Sequence, residues 1–294
     1  MNKLSTEKRS AVVRCFVDGV SVRGTCRITG VAKGTVLRLL ADLGDVCRQH
    51  QHDTLVNLPC KRLQADEVWC YVGSKEKNTR PERKAEGWGD AWTWTVICAD
   101  CKLIPSWLVG PRDGESAAVL MDDLAGRLKH RVQLTSDGLR LYVEAVEEAF
   151  GSRIDFAQLV KIYGEPKGEN TAERKYSPGE CCGTRTDMIC GKPDSAHIST
   201  SFSERSNLTM RMNMRRFTRL TNGFSKKLEN LDHALSINFF YYNFIRIHST
   251  LRVTPAMEAG IAKEPWTVEM LIGLLEAREP DAKAVGAKRK DRRA

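Results

Sequence analysis

The chain has 294 residues, enough for one sizeable domain with one or two small ones, and its 41% hydrophobic and 28% charged content argues against bulk disorder. The 46 Lys and Arg against 37 Asp and Glu leave a formal charge of +9, which favours a polyanionic partner because cationic side chains displace the counterions of nucleic acid. No run approaches the roughly 18 apolar residues of a membrane span. The first ten residues lack the apolar core of a secretory signal, so the ten cysteines are expected as free thiols in a reducing cytosol.

Residues 5 to about 47 predict three short helices. Val12, Val13, Cys15, Phe16 and Val17 form the apolar set of the first, closed by Gly19. Ser21 is placed to cap a second, ending near Gly30; Val31, Val36, Leu39 and Leu40 give the third its period. Two helices joined by a tight Gly-containing turn match the helix-turn-helix pattern. The string T-G-V-A-K-G-T-V-L-R-L-L resembles the turn and recognition helix of many bacterial DNA-binding modules, which implies that Lys33, Thr35 and Arg38 face DNA. A plain three-helix bundle is the other reading.

Residues 48 to 60 read as a polar connector. His50 and His52 have a spacing that suits a metal, but a solvated linker is preferred. From residue 61 the period shortens. L-Q-A-D-E-V-W-C-Y-V, A-W-T-W-T-V-I-C-A and K-L-I-P-S-W-L-V-G predict three strands, rich in Val, Ile, Trp and Tyr. An amphipathic helix over 113–130 follows, then a strand V-Q-L-T-S, a helix to about Phe150 and a strand near I-D-F-A-Q-L-V. Three strands followed by helix, strand, helix, strand is the element order of the RNase H fold. Residues 161 to 202 show little periodicity and read as an insertion. Helical segments follow over 203–217, 225–246 and 266–278, and the tail A-K-A-V-G-A-K-R-K-D-R-R-A is basic and expected to be disordered.

Three acids stand out. Asp66 sits in an apolar strand on the face of Val68, Cys70 and Val72, where an unpaired carboxylate is costly and a divalent cation would relieve it. Glu67 points to the other face. Asp137 ends a strand in L-T-S-D-G, and Glu204 lies early in a helix. Each has a structural reading as well: Asp137 as a helix cap, and Ser201-Phe202-Ser203-Glu204 as a capping box. In an RNase H-like fold the middle of the first strand, the end of the fourth and the start of a later helix converge. Hard cations such as Mg²⁺ take two or three carboxylates and keep waters, and a pair of them can drive phosphoryl transfer.

The strings D-E-V-W-C-Y-V-G-S-K, T-S-D-G-L-R-L-Y and S-F-S-E-R-S-N-L-T-M-R-M resemble the catalytic blocks of the insertion-sequence-one family of bacterial DDE transposases. The likeness continues through R-R-F-T-R-L-T-N-G-F-S-K-K and Y-Y-N-F-I-R-I-H-S-T-L-R-V-T-P-A-M, so that it covers most of residues 62 to 260. The resemblance implies an RNase H-like core in which Asp66, Asp137 and Glu204 are catalytic and hold Mg²⁺ or Mn²⁺, with two ions expected. It implies DNA cleavage and strand transfer. The expected partners are double-stranded DNA, as terminal inverted repeats and target, and further copies of the chain, with no membrane; the expected place is the bacterial cytosol. The insertion at 161–202 lengthens the gap before Glu204.

The architecture expected is α/β: a helix-turn-helix domain over 1–48, a linker over 49–61, an RNase H-like mixed sheet flanked by helices over 62–250, and a C-terminal helix with basic tail over 251–294. Between Arg205 and Lys227 the chain carries cations and no acid, and Arg211, Arg215 and Arg219 recur every fourth residue. Arg205, Arg211, Arg215, Arg219 and Lys226 are therefore expected on DNA phosphates. Asn207, one turn from Glu204, either orients it, meets substrate or is a surface amide. Cys98 and Cys101 have metal-ligand spacing, and Cys181, Cys182 and Cys190 are candidates to complete a zinc site, though a strand turn is the preferred reading. Trp69, Trp88, Trp92, Trp94 and Trp107 are expected as core or sheet-face packing. His248 either meets DNA or caps the preceding helix. The rival functions are an RNase H-fold nuclease that cuts without joining, and a DNA-binding regulator without chemistry.

Overall fold

The computed structural model describes residues 4–164, 179, 181–218 and 222–278. In chain order its main elements are α1 (Thr6–Val17), α2 (Val22–Thr29), α3 (Lys33–Thr54), β1 (Arg62–Val72), α4 (Pro81–Lys84), β2 (Gly89–Cys98), β3 (Ser106–Gly110), α5 (Gly114–Arg127), β4 (Val132–Ser136) and α6 (Leu141–Phe150). They continue with β5 (Ile154–Tyr163), β6 (Cys181–Cys190), α7 (Ser201–Asn213), α8 (Leu228–Phe240), α9 (Pro255–Glu258) and α10 (Val268–Arg278). Contacts divide the chain into two compact units that alternate along it, where the sequence reading expects consecutive domains. One gathers Met1–Thr54, Tyr71–Gly89 and Arg211–Ala294; the other gathers Leu55–Cys70 and Asp90–Met210. No helix among the described residues is long and apolar enough to cross a membrane.

The first unit is helical. Ser5 and Ser21 cap α1 and α2 by accepting from the backbone N–H of Lys8 and Gly24, and Gly30 ends α2 at φ 69°. The third helix runs to Thr54, well into the stretch expected to be a polar connector. Its last turns, R-Q-H-Q-H-D-T, have no apolar period to read, yet Gln51 is only 1% exposed. Its side-chain nitrogen donates to the carbonyls of Cys47 and Ser236, and its oxygen accepts from Asn243 at 3.2 Å. Buried polar atoms are stable only when so paired. His50 is no metal ligand candidate here: its ring packs among Phe240, Phe244 and Trp266, 4.8–5.4 Å between centroids. The close approach of α3 and α8 requires Gly44, since a Cβ there would lie 2.6 Å from the Cα of His233. Beyond α8 the chain makes one π turn over Tyr241–Ile245. His248 shapes the following loop, its Nδ1 accepting from the Thr250 N–H and its carbonyl from the Arg252 N–H.

The second unit is built on a six-stranded mixed sheet in the order β3-β2-β1-β4-β5-β6, flanked by helices. β1 runs parallel to β4, β4 parallel to β5, and β2 antiparallel to β3. β1 is buried on both faces over Leu63–Ala65, as a central strand should be. Trp94 of β2 is fully buried, edge-on to Tyr142 at 5.6 Å, and donates its ring N–H to the Pro111 carbonyl at 3.0 Å; Trp69, Trp92 and Trp107 are half-buried. One expectation is corrected. The stretch read as an aperiodic insertion contains β6, which pairs antiparallel with β5 from Phe156↔Cys190 to Tyr163↔Cys181. This edge strand is exposed or half-exposed along its whole length, so it has no buried face to write an alternation into the sequence.

Candidate functional site

The pairing of β1 with β4 ends at Ala65↔Ser136, so the next residues of both strands, Asp66 and Asp137, open onto the same space. Carboxylate oxygens of Asp66, Glu67 and Asp137 lie within 4.8 Å of one another there. Strand alternation alone would send Glu67 away from this space. Past the last paired residue, however, β1 has no β4 neighbour, and a long side chain from its other face reaches the gap. Glu67 is 8% exposed and well held: Arg112 donates to its Oε1 from Nη2 at 2.6 Å and Nε at 2.9 Å, and the Tyr142 hydroxyl donates to Oε2 at 3.2 Å.

The electrostatics of the three acids are unbalanced. Burial, then the charges of Glu67 and Asp137, push Asp66 up to about 7. Burial and Asp137 also raise Glu67, against the pull of Arg112. The Arg112 guanidinium that faces this group is spent on Glu67. Asp137 Oδ1 accepts from the Leu139 N–H at 3.0 Å, a local turn; α6 itself starts later, with Arg140 at its cap position.

A helix is strapped to β1 beside the acids. Gln64, two residues before Asp66 and buried, accepts from the backbone N–H groups of Phe202 (2.8 Å) and Ser203 (3.1 Å), satisfying the start of α7. Just over one turn later, Asn207 donates its Nδ2 to Asp66 Oδ2 at 2.9 Å. Asn207 is 5% exposed, and its Oδ1 is buried without a hydrogen-bond partner. The amide thus orients Asp66 and not Glu204.

Glu204 stands apart from the three-acid group. It is exposed; Lys161 of β5 donates to its Oε2 at 2.6 Å and the Thr200 hydroxyl to its Oε1 at 2.6 Å. Burial alone would raise its pKa, but the bonds from Lys161 and Thr200 prevail and hold it below the usual carboxylate range. The capping box does not form: Glu204 takes a hydroxyl from Thr200, while Ser201 N–H goes to Ser199 Oγ and Gln64 caps the next two groups.

The expected DNA-contacting residues are distributed as follows. Lys33 and Arg38 are exposed on the first turns of α3, and Thr35 is half-buried. Arg205 and Arg215 are exposed, as is Lys226, and Arg211 is half-buried. The expected row along one helix side ends early. α7 stops at Asn213 because Met214 turns extended, at φ −119° and ψ 106°, and buries its side chain along with Phe217. Arg219 lies outside the described residues, as does the basic tail.

A set of three oxygen donors suits a hard cation and not a soft one. The orphaned Asn207 oxygen and the excess of carboxylate over cation both fit a divalent ion with its bound waters at Asp66 and Asp137. Sequence reasoning finds both aspartates and misses Glu67, Gln64, Arg112, Tyr142 and Lys161. Of these only Gln64 leaves a signal, an amide in an apolar strand on the same face as Asp66. No family model matches the chain and no curated protein matches it.

Proposed function

We propose that the chain is a DDE-type transposase with an RNase H-like core, as its motifs resemble. The observation that carries this is the meeting of Asp66 and Asp137 past the end of β4, beside Glu67 and the buried Asn207. The strand order β3-β2-β1-β4-β5, with β1, β4 and β5 parallel, agrees with that core. Asp66 and Asp137 would hold Mg²⁺ or Mn²⁺, which would supply Lewis acidity for a phosphoryl transfer. Asn207 fixes the rotamer of Asp66. Gln64 fixes the helix that carries Asn207 and Glu204. Arg112 and Tyr142 keep the Glu67 carboxylate in place at the edge of the group. Glu204 is the proposed third acid, held by Lys161 and Thr200 outside the group of Asp66, Glu67 and Asp137.

The reaction in this reading has two steps. Water cleaves a phosphodiester at the element end, and the freed 3′-hydroxyl then attacks a target phosphodiester, one P–O bond forming as another breaks. Lys33, Thr35 and Arg38, at the start of α3, suit a helix-turn-helix that reads terminal inverted repeats. Arg205, Arg211, Arg215 and Lys226 suit phosphates. Bringing two ends together calls for more than one copy of the chain on DNA.

The test is Mg²⁺-dependent joining of a labelled, pre-cut DNA end, taken from the sequence flanking the gene, to plasmid DNA. Wild type is expected to join and Asp137→Ala to fail with end binding intact. Cleavage without joining would make the chain a nuclease of this fold. Equal joining by both proteins would remove Asp137 from the mechanism, and end binding without chemistry in either would favour a regulator.

A further inference from the structure

A second cluster of ligating side chains lies at the other end of β1's buried stretch. The sulfurs of Cys60, Cys98 and Cys101 are within 4.8 Å of one another, and these residues are 2%, 0% and 7% exposed. They come from two places: Cys60 just before β1, and Cys98 and Cys101 from the turn that leaves β2. We propose that Cys60, Cys98 and Cys101 form a thiolate site for one zinc ion, separate from the carboxylate group. Asp66 is six residues beyond Cys60, about 20 Å along an extended strand.

Buried cysteines are often only small core residues. Burial is therefore not the argument; Cys15, Cys47 and Cys70 are buried too and join no such group among the described residues. Convergence is. In a tetrahedral site with Zn–S bonds of about 2.3 Å the sulfurs stand about 3.8 Å apart, so three sulfurs already this close need only a small contraction.

The backbone holds Cys98 and Cys101 in a tight turn. The turn is closed by the Cys98 N–H donating to the Leu103 carbonyl at 2.8 Å and the Lys102 N–H to the Cys98 carbonyl at 3.0 Å. Lys102 takes the left-handed conformation at φ 60°, a geometry with a cost for a side chain that bears a Cβ, and one that reverses the chain right after the second cysteine. Charge agrees as well. Zinc with three thiolates carries a net charge of −1, and Lys102 and Arg62 stand near these sulfurs, Arg62 also paired with Asp100.

Among the described residues no further His, Cys, Asp or Glu joins the three sulfurs, which leaves the fourth position open to a further donor. Cys181, Cys182 and Cys190, the candidates to complete a site with Cys98 and Cys101, sit instead on the edge strand β6, and Cys60 takes that place. Binding exchanges the three thiol protons, released to solvent, for three Zn–S bonds, with no change of oxidation state. The ion would clip the segment entering β1 to the end of β2, a structural role.

The test uses the full chain purified under reducing conditions without chelator. About one zinc per chain is expected by elemental analysis, falling at least roughly tenfold in Cys60→Ser and unchanged in Cys182→Ser. To guard against a Cys60→Ser chain that does not fold, wild type is also stripped with chelator and titrated with Co²⁺, where a thiolate-to-cobalt charge-transfer band is expected. Zinc, and not Mg²⁺, should restore the Tm lost on stripping. A wild-type chain that carries no zinc and gives no charge-transfer band overturns the proposal, as does a disulfide joining two of the three cysteines or full zinc retention in a folded Cys60→Ser. None of these readouts depends on DNA joining.

Discussion

Asp66 and Glu204 are two carboxylates held on the two sides of one strap, and their surroundings treat them oppositely. Asp66 is packed beside two more acids, takes one amide donor from Asn207, and is pushed up to about 7 by burial and by Glu67 and Asp137. Glu204 faces solvent, accepts from Lys161 and Thr200, and is held down. The difference teaches that the strand ends form a group still short of positive charge, whereas the helix start is already neutralised by the protein itself. A cation is therefore expected to enter at Asp66 and Asp137 first and to draw Glu204 in afterwards.

The sharpest break in that comparison is chemical. Asp66→Asn should reduce joining to background while sparing end binding, and Glu204→Gln should also stop joining but leave the first ion bound, read as Mn²⁺ binding by electron paramagnetic resonance. Loss of binding in both variants alike would make the two acids equivalent at the outset and erase the distinction.

A second effect appears in stability without metal. The folded protein keeps Asp66 protonated up to about pH 7, while the unfolded chain loses that proton near its ordinary 3.8. Stability is then fully present below about pH 4 and falls as pH rises to about 7, by up to roughly 4 kcal/mol. Urea melts of chelator-treated wild type against Asp66→Asn should show this difference growing over that window, and Mg²⁺ at pH 8 should recover part of it. A difference that stays flat from pH 4 to 8 would mean the crowding of acids at β1 is relieved in some other way.

Smaller again is the strap. Gln64→Ala strips the acceptor from two N–H groups at the start of α7 and should cost about 1–3 kcal/mol in melts, with a lower joining rate as Asn207 loses its place. Gln64→Glu keeps the acceptor and should recover most of the stability. The least effect is expected of Lys161→Ala. Its pair with Glu204 is partly exposed on both sides, so stability should change by no more than about 1 kcal/mol. The same variant should tighten Mn²⁺ binding at the second site by freeing Glu204; weaker binding would show that Lys161 positions the acid instead of competing for it.

Much of the sheet is legible in the amino-acid pattern. The strands β1 to β5 and the helices α5 and α6 follow from period and composition, and Ser21 and Gly30 bound α2 as their residue types suggest. Elements fail to show where burial is not periodic. β6 is an exposed edge whose register comes from β5, and the last turns of α3 are polar because Gln51 is paired inside the protein by groups on α8 and beyond it. The end of α7 at Asn213 is hidden for a related reason: the arginine spacing fits a continuing helix, but Met214 and Phe217 find their burial only if the chain turns.

The sequence by itself determined local features: the types of most elements, the caps of α2, the two aspartates at strand positions, the positive balance, and a motif likeness that proposes a chemistry. Tertiary structure alone decided who meets whom. The parallel register of β1 and β4 puts Asp66 against Asp137 and admits Glu67. Docking of α7 onto Gln64 turns Asn207 to Asp66, and Lys161 of β5 claims Glu204. The segment before β1 brings Cys60 to Cys98 and Cys101. Periodicity reports each segment's own buried face, but a ligand set is fixed by register and docking between segments far apart in the chain, which depend on the packing of the whole unit.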